Sequence, residues 1–412
     1  MSSIPLSLPD SFRDGERSLC GPRIWILCLL VISSGCSVGY QPDGGSSSTD
    51  SPADAQPDSI TVRNGQLGFD PAVVYERTES LMGANVPPPK EIVIADPDSR
   101  STPEQQPLFY RAVGLTASAE LPTDIGGRIS PDGTIYLYVQ DGQTSRIRTE
   151  QLLVHEFVHY IRAERAATAR TGLNARNPDT AATRRSISEG TAVYLTEVYT
   201  EKHLPGGTSP VNRSARIYRN AEGVYRHYTA PYLFGARYVA NRADSPNDLP
   251  TLYESPPRTT AEVMHQRPAG SDPAVRLDTD TTLRNWTRTG TRGPYGQMFI
   301  HAALGTELSP ERATRGADGW GNDVQLRFRN ERGTGIAWVI RWNDARNASE
   351  FNRAFTAFLQ QRATETSGQW ERKDVSYQLL QADRRTTVVL IGPEQFVTEA
   401  EVETRSGTVM IS

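Results

Sequence analysis

Apolar positions recur along this chain with two different periods, and those periods outline most of its elements. Pro71 to Met82 (PAVVYERTESLM) has residues spaced for one helical face, and Glu91 to Ala95 (EIVIA) has the run of a short strand. The prolines at 87 to 89 separate the two. Leu108 to Ala117 fits a helix or a strand equally well. Thr134 to Gln140 (TIYLYVQ) alternates as a half-buried strand does. A helix is predicted from Gln151 to about Ala166 with Thr149 as its cap. Asn177-Pro178-Asp179 reads as a loop, followed by helices from Ser186 to about Lys202 and from Pro231 to Asn241. Later come strands at 324–329 and 335–342, a helix capped by Ser349 that runs to about Gln360, and strands at 375–381 and 386–391. Strands lead, helices fill the middle and strands return, which predicts an α+β fold.

The first 58 residues change that picture. Ile24 to Ile32 (IWILCLLVI) is an apolar run preceded by Arg13, Arg17 and Arg23. It falls well short of the roughly 20 residues that span a bilayer and has the size of a signal-peptide core. Ser33-Ser34-Gly35-Cys36 follows at once and resembles the lipobox of prokaryotic lipoproteins, with Ser33 where an aliphatic residue is usual. Residues 37–58 are nearly all Ser, Gly, Pro, Asp and Ala, a composition that cannot bury enough apolar surface to offset its ordering entropy. The expected plan is a signal peptide at 1–36 with lipid on Cys36, a tether at 37–58 and a folded body at 59–412. Such a protein is exported and anchored to the membrane at the cell surface.

Cysteine usage narrows the chemistry of the body. Cys20, Cys28 and Cys36 are the only cysteines, so a metal bound beyond residue 36 must use His, Asp or Glu. A formal net charge of −4 leaves no basic footprint for nucleic acid.

One motif supplies candidate ligands. In His155-Glu156-Phe157-Val158-His159 the histidines stand at i and i+4, one turn apart on one helix face. Two neutral imidazoles so placed can share one zinc ion at roughly 2.0–2.1 Å. Glu156, about 100° around the helix, is displaced from the ligand position but placed to take a proton from water at the ion. With six histidines in the chain, a chance match is on the order of one in two hundred. A catalytic zinc needs a third protein ligand. Glu189, thirty residues after His159, is the leading candidate, and Glu164, Glu197 and Glu201 are others. Ser186-x-x-Glu189 is also a capping box, in which Glu189 would only bond its own helix start. Gly190, lacking a Cβ, would let the helix of Glu189 approach the helix of the histidines closely.

The combination His155-Glu156-x-x-His159 with Glu189-Gly190-x-Ala192-x-Tyr194 resembles the gluzincin metallopeptidases, the thermolysin-like group. Tyr232 to Val239, Pro256 to His265 and Gly316 to Asp323 are similar to stretches in uncharacterised surface-anchored members from halophilic archaea. The resemblance spans roughly residues 70 to 360. It implies a zincin-like body with an N-terminal mixed sheet, central active-site helices and a C-terminal α/β portion. The catalytic core would cover about 70–270 and the remainder about 271–412. It also implies Zn2+ on His155, His159 and Glu189, Glu156 as general base, and a peptide or protein substrate. His265 is the leading candidate for stabilising the oxyanion, with Tyr194, His227, Tyr228 and Tyr232 as others. The sequence departs from the thermolysin pattern at Val193, where an Asp four residues after the glutamate ligand would support the histidines. That departure keeps a second expectation open: a surface binding or adhesion protein of zincin fold without catalysis.

Overall fold

A computed structural model describes residues 59–96, 106–117, 126–139, 144–169 and 176–412. The expected signal peptide, Cys36 and the tether lie outside the described residues. The chain is an α+β protein. Among the described residues, no helix is long and apolar enough to cross a membrane.

The N-terminal part holds β1 (Thr61–Arg63), α1 (Pro71–Met82), β2 (Glu91–Ala95), α2 (Leu108–Ala112), β3 (Gly126–Ile129) and β4 (Ile135–Tyr138). The strands form a mixed sheet in the order β1-β2-β4-β3, parallel except for the antiparallel edge strand β3. The stretch that fits either structure by sequence is the short helix α2. α1 begins as its sequence requires: Asp70 accepts from the Ala72 amide at 2.9 Å and Pro71 opens the first turn. Gly83 ends it in the left-handed conformation, at φ 52°.

The helical middle comprises α3 (Arg146–Ala169), α4 (Pro178–His203), α5 (Pro210–Asn220), α6 (Gly223–Arg242), α7 (Leu249–Glu254) and α8 (Thr260–Met264). α3 starts earlier than expected. Its cap is Ser145, whose Oγ accepts from the Arg148 amide at 3.3 Å, and Thr149 lies inside the helix. α4 likewise begins eight residues before Ser186. Asn177 caps it by accepting from the Thr180 amide at 2.9 Å and Pro178 occupies the first turn. α6 runs through Pro231 rather than starting there, because its face packs into a buried cluster that outweighs the proline's cost of about 3 kcal/mol.

The C-terminal part contains β5 (Asp278–Thr281), β6 (Thr287–Arg292), α9 (Gln297–Leu304), α10 (Pro310–Ala317), β7 (Trp320–Asn330), β8 (Gly333–Trp342) and α11 (Ala345–Arg362). It continues with β9 (Thr364–Thr366), β10 (Gln369–Arg372), β11 (Val375–Asp383), β12 (Thr386–Gly392), α12 (Glu394–Glu399), β13 (Val402–Arg405) and β14 (Thr408–Ile411). α11 is capped by Asp344, which accepts from the Asn347 amide at 2.8 Å, so Ser349 lies within it. An antiparallel sheet runs β6-β7-β8-β12-β11-β10-β9. Along β8 the side chains alternate between its faces. Ile336, Trp338 and Ile340 join a core with α9 and α11, while Ala337 and Val339 join a second core with α12. The first of these cores also takes in Phe109, Val113, Val224 and Ala261, so buried packing crosses the boundary expected near residue 270.

Candidate metal centre and its cleft

The site is built where α3 and α4 run antiparallel. Tyr199 donates to Glu150 at 2.7 Å near one end of the contact, and Arg162 donates to Ser188 at 2.9 Å near the other. Between these ties, His155, His159 and Glu189 converge. The two histidine Nε2 atoms are 3.1 Å apart, and Glu189 Oε2 lies 3.3 Å from His155 Nε2 and 3.2 Å from His159 Nε2. Among the described residues this is the group of His, Asp and Glu side chains able to hold a metal ion. The capping-box alternative for Glu189 is removed by the early start of α4. Ser186 stands mid-helix and its Oγ donates to the Ala182 carbonyl at 2.9 Å.

Glu189 is buried and would be pushed toward neutrality by that burial. His159 and His155, with Arg185 behind them, instead hold its carboxyl well below the usual range. Arg185 Nε lies 3.8 Å from Glu189 Oε1, one turn earlier on α4. The same guanidinium lies over the rings of Tyr228 and Tyr232, 5.7 and 5.8 Å from their centroids. Tyr232 in turn stacks on His155, with centroids 5.9 Å apart and 14° between planes.

His159 has outer support that the sequence does not reveal. If Nε2 faces an ion, Nδ1 carries the ring hydrogen, and Ser188 Oγ lies 3.4 Å from it. Ser188 also accepts from Arg162. Ser188 thus supports His159 only, while Val193, where the thermolysin pattern has Asp, is a buried residue of the cleft wall beside His155.

Glu156 is 2 % exposed and its Oε2 has no hydrogen-bond partner. Burial raises its pKa to about 7, opposed by His155 and assisted by Glu189. Strand β3 lies over it: a Cβ placed on Gly127 would be 2.5 Å from Cγ, Cδ and Oε1 of Glu156.

The remaining candidates divide cleanly. Glu197 accepts from Ser209 Oγ at 2.8 Å and the Val211 amide at 2.9 Å, holding the start of α5, while Glu164 and Glu201 are exposed. Tyr194 donates to the Ala243 carbonyl at 3.2 Å. His227 packs against Tyr110 and Phe299, and burial lowers its pKa to about 4. His265 is not among the groups that converge with the triad. It follows α8, its Nε2 is 2.8 Å from Gln297 Nε2 and 3.2 Å from Asp318 Oδ1, and it ties α8 to the turn before β7.

That turn has a structural explanation. Asp323 accepts from the Trp320 and Trp338 indoles at 2.9 and 3.0 Å and from the Tyr295 and Gly296 amides at 3.0 and 2.9 Å. Gly296 abuts Asp179, which accepts from Thr260 Oγ1 at 2.5 Å and from the Thr260 amide at 3.1 Å. The two sequence stretches around Thr260 and Asp323 therefore hold the N-terminus of α4, and through it Glu189. Close spacing of Gly, Trp and Asp in 316–323 was the only available sign of such a hub.

Beside His155 a small cleft lies between α3, α4, α5 and α6. Val193 and Tyr232 form part of its wall, and Arg148, Gln151 and Arg213 supply its polar groups.

A family described as a domain of unknown function (DUF8575) matches residues 286–401, from the start of β6 to just beyond α12. The triad and the cleft lie outside that stretch. No curated protein matches the chain.

Proposed function

We propose that this chain is a zinc-dependent peptidase of the zincin type. The observation that carries the reading is the convergence of two imidazole nitrogens and a carboxylate oxygen within 3.1–3.3 Å, next to a buried glutamate with a free oxygen. Those separations suit zinc: ligands at about 2.0–2.1 Å in a tetrahedron stand roughly 3.4 Å apart. Three protein ligands with room for a fourth group match a catalytic site rather than a structural one.

A bound zinc ion supplies Lewis acidity to the scissile carbonyl and to the attacking water. Glu156 takes the proton from that water and passes it to the leaving amine. Burial of this carboxyl in the metal-free chain pushes it up from the ordinary carboxylate range, the direction a group that both takes and returns a proton needs. Tyr232, stacked on His155 and under Arg185, is a candidate donor for the developing oxyanion. Edge strand β3 has no strand on its outer side among the described residues, so an extended peptide can pair with it beside Glu156. The apolar run and the lipobox-like Ser33-Ser34-Gly35-Cys36 support the further proposal that this activity is exported and held at the cell surface by lipid on Cys36.

The test is metal content and cleavage of a peptide library by the parental chain and by Glu156→Gln. The expected result is one zinc per chain in both, with cleavage lost by about 10²–10⁴-fold in the variant. Equal cleavage by the two would overturn the role of Glu156. Zinc bound without cleavage by either would favour the binding protein.

A further inference from the structure

The seven-stranded sheet ends at β6, and its last two strands carry a row of like charge on one face. Along β7, Gln325, Arg327 and Arg329 alternate with Leu326 and Phe328, which are buried against α12. The three polar residues therefore share the opposite face. Arg292 of β6 pairs directly with Gln325 and stands on that face too. Arg327 and Arg329 are two residues apart, about 6.6–6.8 Å along the strand, and Arg292 extends the row by one similar step. All three arginines are exposed, and none forms an ion pair with a carboxylate among the described residues. In a chain of net charge −4 this is a local excess of the opposite sign.

The row leads to the metal centre through aromatic rings. Burial raises the phenol pKa of Tyr110 to about 12, and Arg292 opposes that rise from nearby. Burial also raises the phenol pKa of Tyr295, opposed by both Arg292 and Arg327. Tyr110 meets the His227 ring, His227 meets Tyr228, Arg185 lies over Tyr228 and Tyr232, and Tyr232 stacks on His155. These five contacts measure 5.7–6.0 Å each. The path from His155 to Tyr110 is thus at most about 30 Å, the reach of about nine extended residues. Tyr110, Tyr228 and Arg185 are each partly exposed along it. Such rings offer a polypeptide apolar area together with a polar edge. Charges on an edge strand also keep sheets from pairing edge to edge. That role does not require the three arginines to share the face that leads to Tyr110 and on to His155.

We propose that this surface is an exosite that holds an acidic segment of the substrate polypeptide. Arg292, Arg327 and Arg329 meet alternate carboxylates of an extended chain, whose side chains repeat at the same two-residue step. The segment begins within about a dozen residues of the bond at the metal centre. The assignment rests on the peptidase reading for what is done to the bound chain, and its test does not require turnover.

The test is fluorescence anisotropy on the zinc-loaded full chain carrying Glu156→Gln. The probes are labelled, blocked peptides of about twenty residues, long enough to span the path. They differ only in a terminal stretch, Glu-Ala-Glu-Ala-Glu or Gln-Ala-Gln-Ala-Gln, placed at either end. For one of the two placements the Glu peptide binds about tenfold tighter than its Gln counterpart near 0.1 M salt, because several exposed pairs each contribute modestly. The preference shrinks as salt approaches about 1 M. It disappears in Arg327→Gln combined with Arg329→Gln, whose exposed positions leave the core untouched. Equal binding of Glu and Gln peptides in both placements, or a preference that survives the double substitution, overturns the proposal. Capture by phosphatidylglycerol vesicles without any peptide preference also overturns it and makes the row a membrane contact. Self-association of the substituted chain with unchanged peptide binding overturns it as well and makes the row a guard of the sheet edge. Failure of the peptidase reading looks different: the Glu preference and its loss on substitution are present, yet the parental chain cleaves no peptide of the library.

Discussion

Gly127 and Glu156 are in contact across the junction of β3 and α3, and only a hydrogen at Gly127 leaves room for the glutamate. A methyl group there would stand 2.5 Å from three of its atoms. Glu156 is fully packed, so it cannot swing away freely. Gly127→Ala is expected to displace the carboxylate without touching the ligands. Displacements near 1 Å cost a catalytic group about 10²-fold, so kcat/KM for a cleaved peptide should fall by that order. Zinc stoichiometry, measured on the same samples, should stay at the parental value. A variant of parental activity would remove Glu156 from the reaction.

Ser188 is expected to matter to the metal rather than to the fold. It lies 3.4 Å from His159 Nδ1 and is itself held by Arg162. Outer groups that orient a histidine ligand typically contribute 10–100-fold in metal affinity. Ser188→Ala should weaken zinc binding by about that factor in a competition titration with a chelator, while His155→Ala should abolish it. Unchanged affinity in Ser188→Ala would mean that the ring of His159 is oriented by packing alone.

The histidine pair was legible in the sequence because its geometry is local: four residues on a helix fix the two rings relative to each other. Glu189 was ambiguous for an equally local reason. The Ser186-x-x-Glu189 pattern is a helix start in isolation, and only a helix already under way from Asn177 removes that meaning. Asn177, Pro178 and Asp179 do match a helix start, but the same residue types also make loops. Ser145 and Asp344 cap α3 and α11 where Thr149 and Ser349 also fit a cap by sequence, because several capping residues lie close together and tertiary packing selects one. His265 ends the stretch Pro256 to His265 that carries part of the family resemblance, and its partner Asp318 lies more than fifty residues on. Gly127 over Glu156 and Gln151 against Arg213 are contacts between distant segments, which no periodicity announces.

Gly190 does permit a close approach, though to a different helix from the one expected. A Cβ on it would collide with the backbone of Gly235 and Ala236 in α6, and a Cβ on Gly235 would collide with the backbone of Ser186. The two glycines form a reciprocal crossing that seats α6, and with it Tyr232, against α4. Backbone on both sides cannot yield as a flexible side chain can. Gly190→Ala and Gly235→Ala should each destabilise the chain by about 1–3 kcal/mol or more through overpacking. Urea midpoints would report it, and a midpoint within error of the parent would show that the helices can separate cheaply.

Asp179 gives the chain a stability that depends on pH in an unusual direction. Burial raises its pKa from 3.8 to about 7, against the hydrogen bonds from Thr260 and with some help from Asp323 and Glu262. In the unfolded chain the carboxyl ionises near its ordinary value. Between about pH 4 and pH 7 the native state therefore holds more protons than the unfolded state, and stability falls as pH rises. The contribution is fully present below about pH 4 and lost above about pH 7. Asp179→Asn keeps an oxygen for Thr260 and cannot ionise, so it should remove this slope. Relative to the parent, the variant should gain stability as pH is raised from 4 to 8 in a series of thermal melts of the metal-free chain. Parallel pH profiles for the two proteins would mean that Asp179 is ionised in the native state throughout. The hub around Thr260 would then be holding a charge at the N-terminus of α4 and not a neutral carboxyl.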